Sequence, residues 1–200
     1  IGEHLLRKYH KDLYQDKELI DCILVARSCA GIACAPNGKF IAIIGLLNKD
    51  YENTLYLLDN NGNIEERFPH FPASSSISWS PDSKKIAFAS DRHGNFDVFL
   101  ISVAGGKAER ITFHSANDLP QSFSVDGNSI LFTSQRKMNA ENVLFPYGRF
   151  NQLYKVSVNG DLPKMELSIP LEHVSLNKNG NKMLYMDLKG YEDFWRKHHQ

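Results

Sequence analysis

One four-residue punctuation recurs along this chain and limits what it can fold into. Pro36-Asn37-Gly38-Lys39, Pro81-Asp82-Ser83-Lys84, Val125-Asp126-Gly127-Asn128 and Lys178-Asn179-Gly180-Asn181 each precede an apolar run, at 40–44, 86–89, 130–133 and 183–186. Asn37, Asp82 and Asp126 follow one another at steps of 45 and 44 positions, and the next step, to Asn179, is 53. Asn, Asp and Gly favour tight turns because they tolerate left-handed backbone or bond their own main chain. A period of about 40–45 residues holding several short strands is the mark of propeller blades.

Residues 77–112 show one unit in full. Apolar runs at 77–80, 86–90 and 98–103 and a short run at 109–112 are separated by Pro81-Asp82, the polar loop 91–97 and Gly105-Gly106. Four β-type runs broken by turn residues predict a small antiparallel sheet. Val98-Phe99-Leu100-Ile101 is apolar at every position. A strand with one wet face would alternate instead, so this sheet is expected to be covered on both sides, as in blades stacked like pages.

The fold expected is therefore all-β: a partial β-propeller of four-stranded antiparallel blades, about three and a half of them, preceded by a short N-terminal helical segment. Leu5, Leu6, Tyr9 and Leu13 recur at helical spacing among charged residues, which sets residues 1–30 apart as a helical or poorly ordered segment. Residues 31–200 form the incomplete propeller, with blades at 31–69, 77–113 and 121–168 and the first hairpin of a fourth at 174–200. Propellers close with about 4–8 blades, which hides their edges. The chain is accordingly expected to be a fragment or a processed product, self-associating in isolation through unpaired strands near 32–44 and 183–186.

Composition excludes several function classes. Lys plus Arg and Asp plus Glu number 23 each, so there is no general attraction for nucleic acid or acidic membranes. No apolar run is long enough to span a bilayer. Cys22, Cys29 and Cys34 are odd in number and clustered, which fits neither a disulfide framework nor a zinc site. No cofactor or metal is expected. Asp91 to Asp97 is rich in oxygen donors, but Arg92 and His93 interrupt a calcium pattern. No G-x-S-x-G or phosphate-binding loop occurs, and His114, Ser115 and Asp118 are too close in sequence to suggest a triad, so no catalytic residue is expected.

Strand direction places the loops between second and third strands on the same face as the blade-to-blade connectors. That face holds 91–97, the long loop 135–150 and the connectors 69–75 and 114–120. Variable loops on a rigid scaffold are where binding concentrates. The residues expected to line or flank the mouth of the central channel are Arg92, His114, Asn117 and Asp118.

Ser80-Pro81-Asp82 with Ile86-Ala87-Phe88-Ala89-Ser90-Asp91-Arg92 resembles TolB-like propeller repeats. Residues 110–118, Phe145-Pro146-Tyr147-Gly148-Arg149 with Gln152-Leu153-Tyr154-Lys155-Val156, and residues 189–199 resemble the N-terminal propeller of tricorn-type serine peptidases. That resemblance implies a large hydrolase with a six-bladed propeller, a second propeller, a PDZ-like domain and a serine peptidase core. The implied role of this segment is to gate or guide peptide substrates without itself being catalytic. Its implied partners are a peptide or protein and the remaining blades and catalytic domains of the parent chain, in either a cytosolic or an exported setting. Two alternatives stand beside it: a freestanding TolB-like module for protein–protein interaction, and the propeller of a prolyl-oligopeptidase-type enzyme.

Overall fold

A computed structural model of the 200-residue chain describes residues 26–47, 52–69, 76–136 and 151–187. Every element among them is a strand. The first sheet comprises β1 (Ala26–Cys34), β2 (Ile41–Leu47), β3 (Thr54–Leu58) and β4 (Ile64–Phe68). The second comprises β5 (Ile77–Trp79), β6 (Lys85–Ser90), β7 (Asp97–Ser102) and β8 (Glu109–Arg110). The third comprises β9 (Asp118–Phe123), β10 (Ser129–Ser134), β11 (Gln152–Ser157) and β12 (Lys164–Leu167). A hairpin of β13 (Leu171–Leu176) and β14 (Met183–Asp187) follows. Strands pair antiparallel in chain order within each sheet.

These are the blades the period predicts, with shifted margins. β1 starts at Ala26 rather than 31, β9 at Asp118 rather than 121, and β13 at Leu171 rather than 174. The extra residues are polar or irregular, and bulges interrupt β1 and β9 near those ends, which hides the strand periodicity. The helix expected near the N-terminus and most of the loop 135–150 lie outside the described residues.

The recurring turns are built alike. In each, the third residue of the quartet is left-handed, with φ of 69° at Gly38, 60° at Ser83, 72° at Gly127 and 69° at Gly180. Its amide donates to the carbonyl three residues back, as Ser83 does to Ser80 at 2.9 Å and Gly127 does to Ser124 at 2.9 Å. In the second and third sheets a preceding Ser locks the hairpin. Ser80 Oγ donates to Asp82 Oδ1 at 2.6 Å and accepts from the Lys85 amide at 2.9 Å; Ser124 repeats this with Asp126 at 2.5 Å and the Ser129 amide at 2.9 Å. The serine hydroxyls, with the Lys84 and Asn128 amides that donate to Asp82 and Asp126, hold both carboxyls below the usual Asp range.

Each four-stranded sheet has two apolar faces, and neighbouring sheets pack by a repeating rule. Ile86, Phe88, Phe99 and Ile101 of the second sheet meet Ala42, Ile44, Leu55 and Leu57 of the first. Ile130, Phe132, Tyr154 and Val156 of the third meet Ala87, Val98 and Leu100 of the second. Leu131 and Leu153 on its other face meet Leu171 and Val174. Bulky rings thus project toward the preceding blade and meet the Ala42 or Ala87 surface there. The ring pairs Phe88–Phe99 and Phe132–Tyr154 have the same geometry, with centroids 5.7 Å apart in both and interplanar angles of 26° and 24°. Full burial of such side chains supplies about 1.5–3 kcal/mol each, so the stacking faces dominate stability.

The first strands β1, β5, β9 and β13 lie against one another in sequence, as the innermost strands of a fan do. Trp79 Nε1 donates across one junction to the Ala33 carbonyl at 2.9 Å, and the Val174 amide donates across another to Gln121 Oε1 at 3.1 Å. β14 differs from its counterparts β6 and β10: Leu184 is 76% exposed, and Tyr185 and Met186 are exposed with it.

Candidate functional site

The loop 91–96 and the connector 111–117 are stitched together at one end of the blades. Asn95 Nδ2 donates to the carbonyls of His114 at 2.8 Å and Ala116 at 3.0 Å. The Phe96 amide donates to Asn117 Oδ1 at 3.0 Å, and the Asp118 amide donates to the Phe96 carbonyl at 2.7 Å. A short polar loop and an inter-blade connector thereby form one surface, as strand direction predicts. The stereotyped turns occupy the opposite end, where the Asn37 amide donates to Ser83 Oγ.

Two ion pairs anchor this surface from beneath. Arg110 Nη2 lies 2.5 Å from Asp97 Oδ2, and its Nε donates to the Thr112 carbonyl at 3.0 Å. The same guanidinium covers Phe113, 4.7 Å from the ring centroid. Thr112 Oγ1 accepts from the buried Val98 amide at 2.9 Å. Asp97 is wholly buried, and burial pushes its carboxyl above the usual range against the opposing pull of Arg110; the Asp118 carboxylate adds to the rise. In the third blade, Arg136 grips Asp118 with two nitrogens, Nη2 on Oδ2 and Nε on Oδ1 at 3.2 Å. Arg136 also lies over the rings of Phe132 and Tyr154, at 5.0 and 5.7 Å from their centroids. Burial raises the Tyr154 hydroxyl pKa.

The four residues expected at the channel mouth have different fates. Arg92 is exposed, over Phe99 at 4.7 Å and Phe88 at 5.9 Å from the centroids, with Nε donating to Ser90 Oγ at 2.9 Å. His93 stacks on Phe99 beside it, with ring centroids 6.0 Å apart. Asn117 is exposed but uses its carbonyl oxygen to hold the loop. His114 is half-buried, and its Nδ1 accepts the Ala116 amide at 3.0 Å. Asp118 departs from the expectation. Its side chain is 0% exposed and saturated by Arg136, so it is a supporting anion under the surface and not a group facing solvent.

Nor do His114, Ser115 and Asp118 form a proton relay, since Asp118 points to Arg136 and His114 Nδ1 is occupied by backbone. Asp97 likewise is buried with Oδ2 on Arg110, whereas Asp91 is exposed. Sequence reading missed Arg110 and Arg136 altogether. Only one signal pointed to Arg136: it follows Ser134 as Arg92 follows Ser90, two residues on.

No helix among the described residues is long and apolar enough to cross a membrane. An uncharacterized protein of Agrobacterium fabrum is 28% identical over 101 residues, which is 50% of this chain and 34% of that protein. The chain thus spans about a third of the length of this curated relative. Among solved structures, a putative TolB from Agrobacterium tumefaciens superposes with a TM-score of 0.64 at 22% identity, over 80% of this chain and 55% of that one. TolB from Acinetobacter baumannii gives 0.60 at 20% identity, over 79% and 37%. A prolyl endopeptidase gives 0.57 at 16% identity, over 82% and 25%. At these identities the structures establish the fold alone. The family of the tricorn protease N-terminal beta propeller domain matches residues 46–200, more than three-quarters of the sequence. The four-stranded sheets, their stacking and this match agree, and the chain belongs to the tricorn N-terminal β-propeller family.

Proposed function

We propose that this chain is an accessory propeller segment of a tricorn-like peptidase, which guides peptide substrates toward a catalytic centre elsewhere in the parent protein. Family membership is the observation that carries the reading. The stitched loop-and-connector surface supports it, because four side-chain and backbone bonds give that end of the blades a fixed shape. A fixed surface selects ligands with little ordering cost. No residue here is assigned a chemical step. The freestanding TolB-like interaction module is the second reading, in which the same stitched surface receives a protein partner.

The complete polypeptide that contains residues 1–200 is the material for the test. Its hydrolysis of a dipeptide amide and of a decapeptide is compared before and after Asn95→Ala, which unstitches the surface. The expected result is a several-fold fall in kcat/KM for the decapeptide with the dipeptide amide unchanged. Absence of any peptidase activity in that polypeptide, with stable capture of a folded protein partner, would favour the second reading.

A further inference from the structure

Arg92 and Arg136 stand 44 positions apart and are counterparts in successive blades, as are Ser90 and Ser134, Phe88 and Phe132. Phe99 and Tyr154 complete the comparison as the register partners of Phe88 and Phe132. Each arginine lies over its ring pair. Their polar partners differ. In the third blade Arg136 engages a carboxylate, Asp118, and the hydroxyl of Ser134 is left buried with no hydrogen-bond partner among the described residues. In the second blade Arg92 Nε rests on the hydroxyl of Ser90, and no carboxylate among the described residues pairs with it. The position 44 before Asp118 is Ser74 in the sequence, a residue without charge.

We propose that Arg92 is a seat for a carboxylate on a peptide ligand. Arg92 and Arg136 are two states of one device, at rest on its serine and engaged on an acid. The assignment rests on the peptide-guiding reading above and adds a chemical preference to it. With Nε on Ser90, both terminal nitrogens of Arg92 present a planar fork that suits the two oxygens of a carboxylate. The rings beneath fix the plane of the guanidinium, and its exposure leaves the upper side open to an incoming chain. His93, stacked on the same ring, adds a second donor beside it. A terminal carboxylate and a Glu or Asp side chain share this chemistry.

Two measurements on the complete polypeptide that contains residues 1–200 test the seat. The first follows the Arg92 Nε–H signal by NMR during titration with acetate. Saturable movement, absent for the Arg136 signal, is expected; an Arg92 signal that stays in place overturns the proposal. The second measures binding of a fluorescent hexapeptide as the free acid, as the C-terminal amide, and as an amide with one internal Glu. Arg92→Gln is expected to weaken the carboxylate-bearing peptides about tenfold, with Arg92→Lys between, and to leave the plain amide unchanged. Preference for the free acid over the internal Glu identifies a terminal carboxylate as the occupant, and the reverse identifies a side chain. Peptides that bind equally well to Arg92→Gln overturn the seat while leaving peptide guiding intact. Acetate that moves Arg92 while no peptide binds overturns peptide guiding and keeps the carboxylate seat.

Discussion

The backbone amide of Asn37 donates to the hydroxyl of Ser83 across the junction of the first two blades, at 3.0 Å. Ser83 is itself left-handed, with φ of 60°, at a position where three other turns have glycine. The side chain of this strained residue ties one turn to the next. Ser83→Gly relieves the backbone and loses the tie, whereas Ser83→Ala loses the tie and keeps the strain. Ser83→Ala should therefore cost about 0.5–1.5 kcal/mol, and more than Ser83→Gly, in urea unfolding. Equal costs would show that the backbone strain contributes little, and a negligible cost for Ser83→Ala would show the same of the tie.

Gly180 occupies the equivalent position in the last hairpin. A Cβ there would lie 2.8 Å from Val125 Cγ2 of the preceding turn, on a backbone with φ of 69°. Gly180→Ala should lower thermal stability through both effects. Val125→Ala should relieve the crowding and not the backbone strain, so the double variant recovers part of the loss. A double-mutant cycle measures the recovered part.

The ring pair under Arg136 can be compared with the ring under Arg110. Phe132 is fully buried, whereas Phe113 is 68% exposed. Phe132→Ala should cost about 3–5 kcal/mol by leaving a cavity between the second and third blades. Phe113→Ala removes only a surface contact with Arg110 and should cost about 0.5–1 kcal/mol. Chemical denaturation of the two variants checks the contrast.

Asp97 makes a pH-dependent contribution of unusual sign. Burial raises its folded pKa above the ordinary 3.8, so the folded state holds the proton more tightly than the unfolded chain does. Its contribution is fully present below 3.8 and is lost as pH rises through the raised folded value. Asp82 and Asp126 act oppositely, their contribution being present above 3.8 and lost as pH falls through their lowered folded values. Those two are common to wild type and Asp97→Asn and cancel in the difference. The stability of wild type relative to Asp97→Asn should therefore increase on acidification from neutral toward pH 4, measured by urea unfolding across that range. A difference independent of pH would contradict the raised carboxyl.

The blades were legible in the sequence because turn chemistry and apolar runs are local. Ser80-Pro81-Asp82 announces its own hairpin, and Val98 to Ile101 shows burial on both sides without reference to anything distant. Strand ends were less legible at β1 and β9, where bulges break the alternation. The candidate site was half legible. Arg92 and Asn117 are exposed at the expected end of the blades. Asp118 was misplaced because its burial depends on Arg136, 18 residues away and beyond a turn. Nothing next to Asp118 in the sequence marks that pairing. The Ser-x-Arg spacing shared by 90–92 and 134–136 was the available clue, and it becomes informative only when the two repeats are aligned.

The alternation of large and small surfaces also fixes the order of the repeats. Ala42 and Ala87 receive rings from the blade that follows, but the corresponding residue of the third blade is Leu131, which meets the smaller Leu171 and Val174. A copy of the second blade inserted after the third would press Phe88 and Phe99 onto Leu131, where no alanine makes room. Duplication or shuffling of repeats is therefore permitted at the first two junctions and penalised at the third, so this protein carries its own blade sequence as a matter of steric fit.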